Sequence, residues 1–189
     1  MNKSNTTSAK ERIILGLDPG TSIMGYGVIQ TTGQKMKILQ FGVIHLSKYA
    51  THELKLQKIF ERVSSIIEEY NPDFVALEAP FFGKNVQSML KLGRAQGVAM
   101  AAALAREIPI TEYAPRKVKQ SVTGNGNASK EQVASMLKVI LSFEETPKLL
   151  DATDALAVAV CHHFQAGAAP AKSGKGWQAF LRENPGRVK

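Results

Sequence analysis

The chain has 189 residues, 44% of them hydrophobic and 21% charged, which is enough for one sizeable core in a globular protein. Its formal charge of +8 and pI of about 9.6 suit a phosphate-rich partner, since basic charge raises both affinity and encounter rate for polyanions. The lone Cys161 excludes an internal disulfide and any zinc cluster built on paired cysteines. No apolar stretch approaches the roughly 18 residues of a membrane span: the longest, Val98 to Ala105, stops at Arg106-Glu107.

Residues 1–11 are polar, lack the apolar core of a signal peptide and read as a disordered leader. A soluble, cytoplasmic protein is the expectation. Ile13 to Leu17 is a short, largely apolar run that ends in Asp18-Pro19-Gly20. The pattern predicts a buried strand over about 12–18 that closes on a carboxylate, then a type II turn with Pro19 and Gly20 at its centre. Ile23 to Thr31 and Lys35 to Leu46 follow as strands, joined through Thr32-Gly33. Connections this short predict an antiparallel meander.

The period changes over His52 to Tyr70, where Leu56, Ile59, Phe60, Val63, Ile66, Ile67 and Tyr70 fall at helical spacing and Asn71-Pro72 stops the helix. Phe74 to Glu78 is a fourth apolar strand ending in an acid. Asn85 to Arg106 is a second helix, in which Gly93 and Gly97 predict close packing on the sheet or on a second subunit. Ile108 to Tyr113 is a fifth strand, and Thr123 to Asn127 is too glycine-rich for regular structure. Ser129 and Gln132 resemble a capping box for a helix reaching about Phe143. Pro147 opens a last helix, which carries Asp151 and Asp154 and ends near Phe164 with His162-His163 as a cap. From Ala166 to Lys189 the composition reads as a basic flexible tail. The order gives an α/β fold: a five-stranded mixed sheet, antiparallel meander plus parallel strands, flanked by helices. By analogy it is RNase H-like.

Asp18, Glu78, Asp151 and Asp154 therefore sit in largely apolar settings, where a charge is costly unless paired, hydrogen-bonded or bound to metal. Asp151 and Asp154, three apart, share one helix face, and the apolar run from Leu149 to Cys161 offers them no Arg or Lys partner. Metal coordination resolves this, and oxygen-only ligands favour Mg²⁺ or Mn²⁺ over zinc. Carboxylate-held metal pairs about 4 Å apart suit in-line phosphoryl displacement, which needs no nucleophilic side chain. Phe81 and Phe82, followed by Lys84, Lys91 and Arg94, read either as core plugs or as a base-stacking wedge with phosphate contacts. Lys117, Lys119 and Lys130 flank the glycine-rich loop, as phosphate ligands or as a solvated charged surface.

In order, Gly16-Leu17-Asp18-Pro19-Gly20, Ala76-Leu77-Glu78 with Phe81, Lys91 to Val98, Val118-Lys119-Gln120, Gly124 to Lys130 and Asp151 to Ala157 together resemble the RuvC family of bacterial Holliday junction endonucleases. The resemblance spans about residues 12–164 and implies a nuclease domain over 12–165. It implies a homodimer that makes paired cuts in four-way junction DNA with Mg²⁺, up to two ions per subunit, Mn²⁺ substituting, and no small-molecule cofactor. Asp18, Glu78, Asp151 and Asp154 match the family's catalytic acids. Phe81 matches the aromatic inserted at the junction, and Lys119 and Lys130 match DNA-contacting residues. A branch-migration motor and its junction-binding partner are the expected associates. The alternatives are another RNase H-like nuclease, a non-catalytic junction-binding module, or a sugar-kinase-like phosphotransferase. The last lacks room for a second actin-like domain.

Overall fold

The structure, a computed structural model, describes residues 10–80, 85–143 and 150–167. Its strands are β1 (Glu11–Asp18), β2 (Ile23–Thr32), β3 (Lys35–His45), β4 (Phe74–Glu78) and β5 (Ile110–Tyr113). They form one sheet of order β3-β2-β1-β4-β5, in which β1–β2 and β2–β3 pair antiparallel and β1–β4 and β4–β5 pair parallel. Gly33, at φ 60, makes the tight link between β2 and β3 without the steric cost a Cβ would carry. The helices are α1 (His52–Tyr70), α2 (Val86–Leu104), α3 (Pro115–Thr123), α4 (Lys130–Leu141) and α5 (Leu150–Gly167).

Side chains alternate across a strand, and here both faces are covered. Leu15, Leu17, Val75 and Leu77 pack with Ile59, Val63, Ile66 and Ile67 of α1 and Ala95, Ala99, Ala102 and Ala103 of α2. Ile14, Ile29 and Ala76 pack on the other face with Val118 and Val122 of α3, Val133 and Leu137 of α4, and Leu156 to Cys161 of α5. Burial on both sides is why β1 and β4 read as continuous apolar runs rather than alternating ones. The result is a helix–sheet–helix sandwich.

Several expectations change. Pro115–Thr123 is a helix where the sequence reading had none; Pro115 opens it and Gly124 closes it at φ 77. Gly20 has no left-handed φ, so the segment after Asp18 is not a type II turn. Its glycine is required by space instead, since an added Cβ would lie 1.8 Å from the Ile23 carbonyl oxygen. β1 starts at Glu11, within the span read as leader, and α5 runs on to Gly167, through the first residues read as tail. His162 is therefore no helix cap: it is 5% exposed, its Nδ1 lies 3.0 Å from the Tyr113 hydroxyl, and its ring packs on Phe74. Gly93 and Gly97 do not touch the sheet, for nothing lies within 4 Å of a Cβ added at either. Asn71, left-handed at φ 44, ends α1 as read, and Ser129–Gln132 forms the expected capping box on α4. Phe81, Phe82, Lys84, Pro147, residues 1–9 and residues 168–189 lie outside the described residues.

Candidate active site

Register and parity bring the first two acids together. β1 and β4 run parallel with Leu17 opposite Leu77, so Asp18 and Glu78 follow at neighbouring strand ends. Both have the parity of Ile14, Ala76 and Gly16, so both project from the face that carries α5. The strands alone could not complete the site. The other two acids arrive because α5 lies directly on a glycine strip of the sheet. A Cβ at Gly16 would meet the Ala155 carbonyl oxygen at 2.2 Å, one at Gly25 the Asp151 carbonyl oxygen at 2.0 Å, and one at Gly27 the Leu156 side chain at 2.8 Å. Main chain on main chain sets the first turns of α5 beside the end of β1.

The outcome is a cluster in which carboxylate oxygens of Asp18, Asp151 and Asp154 all lie within 4.8 Å of one another. Glu78 is not in that tight group, but shares with Asp18 two adjoining cavities. One, of about 110 Å³, is also lined by Val118, Lys119, Lys130, Val133, Asp154 and Ala157. The other, of about 220 Å³, is lined further by Pro19, Ala79, Pro80 and Leu92. All four acids are half-buried rather than sealed in the core, which leaves them reachable from solvent.

Crowded carboxylates in a poorly solvated cleft resist ionisation. Burial pushes Asp18 up to about 8, with the charges of Glu78, Asp154 and Asp151 adding to it and Lys130 opposing. Burial likewise pushes Glu78 up to about 7; Asp154 adds, and Lys130 and Lys119 oppose. A hard divalent cation among these oxygens would remove the conflict, and an all-oxygen donor set fits such an ion.

The cation that the local sequence did not offer comes from 24 residues away: Lys130 pairs with Asp154. The Ser129 cap places Lys130 as the first residue of α4, where its ammonium reaches across to α5. Burial lowers the Lys130 ammonium pKa, but the hydrogen bond and charge of Asp154, with Asp18 and Asp151, outweigh it and raise the net value. Lys119 joins the same cavity from α3, and Lys117 is exposed beyond its lining. Lys91 and Arg94 project from α2 as exposed residues, while Leu92 between them lines the cleft. Sequence reasoning did not find Leu92. Its signal was faint, a single apolar residue between two cations at the start of a helix.

Fold and acidic cleft together define an RNase H-like nuclease. The family model described as crossover junction endodeoxyribonuclease RuvC matches residues 14–162. The crossover junction endodeoxyribonuclease RuvC of Cytophaga hutchinsonii is 65% identical, over 100% of this chain and 94% of its own, and that of Christiangramia forsetii 58%, over 100% of both. The solved structure of T. thermophilus RuvC in complex with a Holliday junction substrate aligns with TM-score 0.78 at 34% identity, covering 82% of this chain and 95% of that one. The chain belongs to the RuvC family.

Proposed function

We propose that this protein resolves four-way DNA junctions by hydrolysing phosphodiesters of opposed strands, with Asp18, Glu78, Asp151 and Asp154 holding Mg²⁺ at the cleft. The observation that carries this reading is the convergence of three carboxylates within 4.8 Å at a strand end, bordered by Lys119 and Lys130. Bound Mg²⁺ would supply Lewis acidity for activating water and for the charge on the leaving oxygen. The protein's own residues do the rest. The four carboxylates fix the donor set, and the raised affinity of Asp18 and Glu78 for protons reflects the same concentrated negative charge that attracts a cation. Lys119 and Lys130 draw the scissile phosphate to the acids, and Lys130 exchanges its Asp154 contact for that phosphate. No side chain forms a covalent bond to DNA: water attacks phosphorus, the P–O3′ bond breaks, and the departing oxygen leaves as a hydroxyl.

Paired cuts need two sites, and α2 supports a homodimer. Val86, Leu90, Gly93, Gly97 and Leu104 follow helical spacing on its open side; Val86 is 69%, Leu90 51% and Leu104 60% exposed. An exposed apolar line with two glycines whose Cβ positions no described residue approaches within 4 Å suits a second copy packing helix to helix. Phe81 and Phe82, next after the cleft-lining Ala79-Pro80, would stack at the opened junction, with Lys84, Lys91, Arg94 and Lys117 as outlying phosphate contacts. A branch-migration motor and its junction-binding partner are the expected associates. No helix among the described residues is long and apolar enough to cross a membrane.

The deciding experiment is a synthetic four-way junction with a short mobile core, incubated with Mg²⁺ and resolved on a denaturing gel. Paired, symmetry-related incisions that vanish on chelation are expected. Binding without incision across a panel of core sequences, with either Mg²⁺ or Mn²⁺, would leave only the non-catalytic junction-binding reading.

A further inference from the structure

At the end of the sheet opposite the acids lies a third cavity, of about 250 Å³, lined by Lys10, Arg12, Ile14, Thr31, Gly33, Phe74, His162, His163 and Ala166. Every titratable group in its wall is a base. Arg12 sits over the Phe74 ring, 5.8 Å from the centroid, and forms no ion pair among the described residues. His162 is 5% exposed, and its Nε2 is buried with no hydrogen-bond partner among the described residues. The acids adjacent in sequence are engaged elsewhere: Glu11 accepts from Gln30, and Asp73 accepts from the Ile13 N–H at 2.8 Å. Burial and Arg12 lower the pKa of both imidazoles, as expected of bases facing a cation with no compensating carboxylate.

The two undescribed segments that adjoin this cavity in sequence, before Lys10 and after Gly167, are both net basic. Residues 1–9 carry Lys3 and no acid, and residues 168–189 carry Lys172, Lys175, Arg182, Arg187 and Lys189 against Glu183. Among the described residues none supplies the compensating anion, which leaves the cavity open to one from outside. At about 250 Å³, with Phe74 and the last turns of α5 in its wall, the cavity suits a compact molecule better than a long polyanion. Ile14 and Phe74 give it an apolar wall beside the cations. We propose that this cavity binds a free small molecule carrying a phosphate or carboxylate on a ring-sized apolar body, its oxyanion held by Arg12 with Lys10 and His163 and its ring against Phe74 and Ile14. The site is separate from the acids and does not depend on the cleavage reading.

The test uses the full-length protein with phenyl phosphate and inorganic phosphate as probes, at fixed pH and ionic strength. Histidine imidazole resonances are followed by NMR, which distinguishes this site from phosphate taken up at Lys119 and Lys130. Saturable shifts at His162 and His163 are expected. Phenyl phosphate should bind about tenfold tighter than inorganic phosphate, because its ring is buried. Arg12→Gln should weaken both about tenfold, the size of one hydrogen bond to a charged group, with amide spectra confirming an intact fold. Phe74→Leu should erase most of the preference for phenyl phosphate while retaining inorganic phosphate. Shifts that never saturate, or that are unchanged in Arg12→Gln, would overturn the site. Four-way junction added to the saturated protein should leave phenyl phosphate in place; its displacement would overturn the free-ligand assignment in favour of a DNA phosphate.

Discussion

The two ends of α5 hold opposite problems. Its first turn brings Asp151 and Asp154 against Asp18, a surplus of negative charge relieved only in part by Lys130, with Lys119 beside it in the cleft. Three turns later the same helix sets His162 and His163 beside Arg12, a surplus of donors and positive charge that no described acid answers. Arg12 lies near the start of β1 and Asp18 at its end, while β4 runs from Phe74 to Glu78. Each end is unfavourable in isolation and becomes favourable with a counter-ion that no described residue fully supplies. The difference teaches how to tell a binding site from a structural ion pair: the charges of a structural pair cancel, and these do not.

The strongest way to break that comparison is at the acidic end. Asp18→Asn should reduce cleavage by at least about a hundredfold, the scale of losing one preorganised electrostatic element. Junction affinity should hold or rise, because less negative charge opposes the phosphates. Parallel gel-shift and cleavage assays check this, and loss of binding together with cleavage would make Asp18 a folding residue instead. Gly16→Ala probes how the acidic end is assembled. Its methyl would enter the space of the Ala155 carbonyl, and we expect a loss of about 1–3 kcal/mol, as for overpacking, read by chemical denaturation. A stability unchanged by that methyl would show that α5 can lift from the sheet freely.

The pH response sharpens the comparison further. Asp18 titrates near 8 and Glu78 near 7 in the folded protein, and both are ionised well below this when unfolded. Between about pH 6.5 and 8 the folded state thus binds more protons than the unfolded one, so stability falls as pH rises. His162 and His163, held below their ordinary pKa, lie outside that window; their cost appears on acidification. Without divalent metal the melting temperature should drop by a few degrees across the window, since about 1 kcal/mol moves a domain of this size by roughly 2–4 °C. Added Mg²⁺ should restore it. A melting temperature flat in pH and indifferent to Mg²⁺ would contradict the crowding of the acids. Lys130→Met should steepen the metal-free decline, because the cation opposing proton uptake by Asp18 and Glu78 is removed. The smallest effect is expected at Lys119→Ala: a salt dependence of junction binding shallower by about one phosphate contact, roughly 0.9 in log–log slope. An unaltered slope would place Lys119 away from the DNA.

Most of this architecture was legible before any coordinates. Apolar runs closing on Asp18 and Glu78 identify strands buried on both faces, because only such strands omit the polar alternation. What the sequence hid were relations in space. The Lys130–Asp154 pair links residues 24 apart, so a search of flanking residues finds Asp154 without a cation. Helix α3 was missed because its basic, polar composition masked the Pro115 opening and the Gly124 close, which are the usual marks of a helix start and stop. The histidine pair looked like a helix end because exposed caps are commoner than buried imidazoles. Nothing local to His162 announces the Tyr113 hydroxyl or the Phe74 ring that enclose it.

The contact of α5 with the glycine strip carries a consequence for mutational drift. Because Gly16 and Gly25 meet backbone carbonyls rather than side chains, the spacing of the acids is set by main-chain atoms common to every sequence. The apolar residues beneath α1 and α2 can exchange for others of similar volume, and the donor cluster would keep its dimensions. Genetic variation in this protein should therefore be tolerated across the helical layer of the far face and rejected at two glycines that have no side chain to offer chemistry.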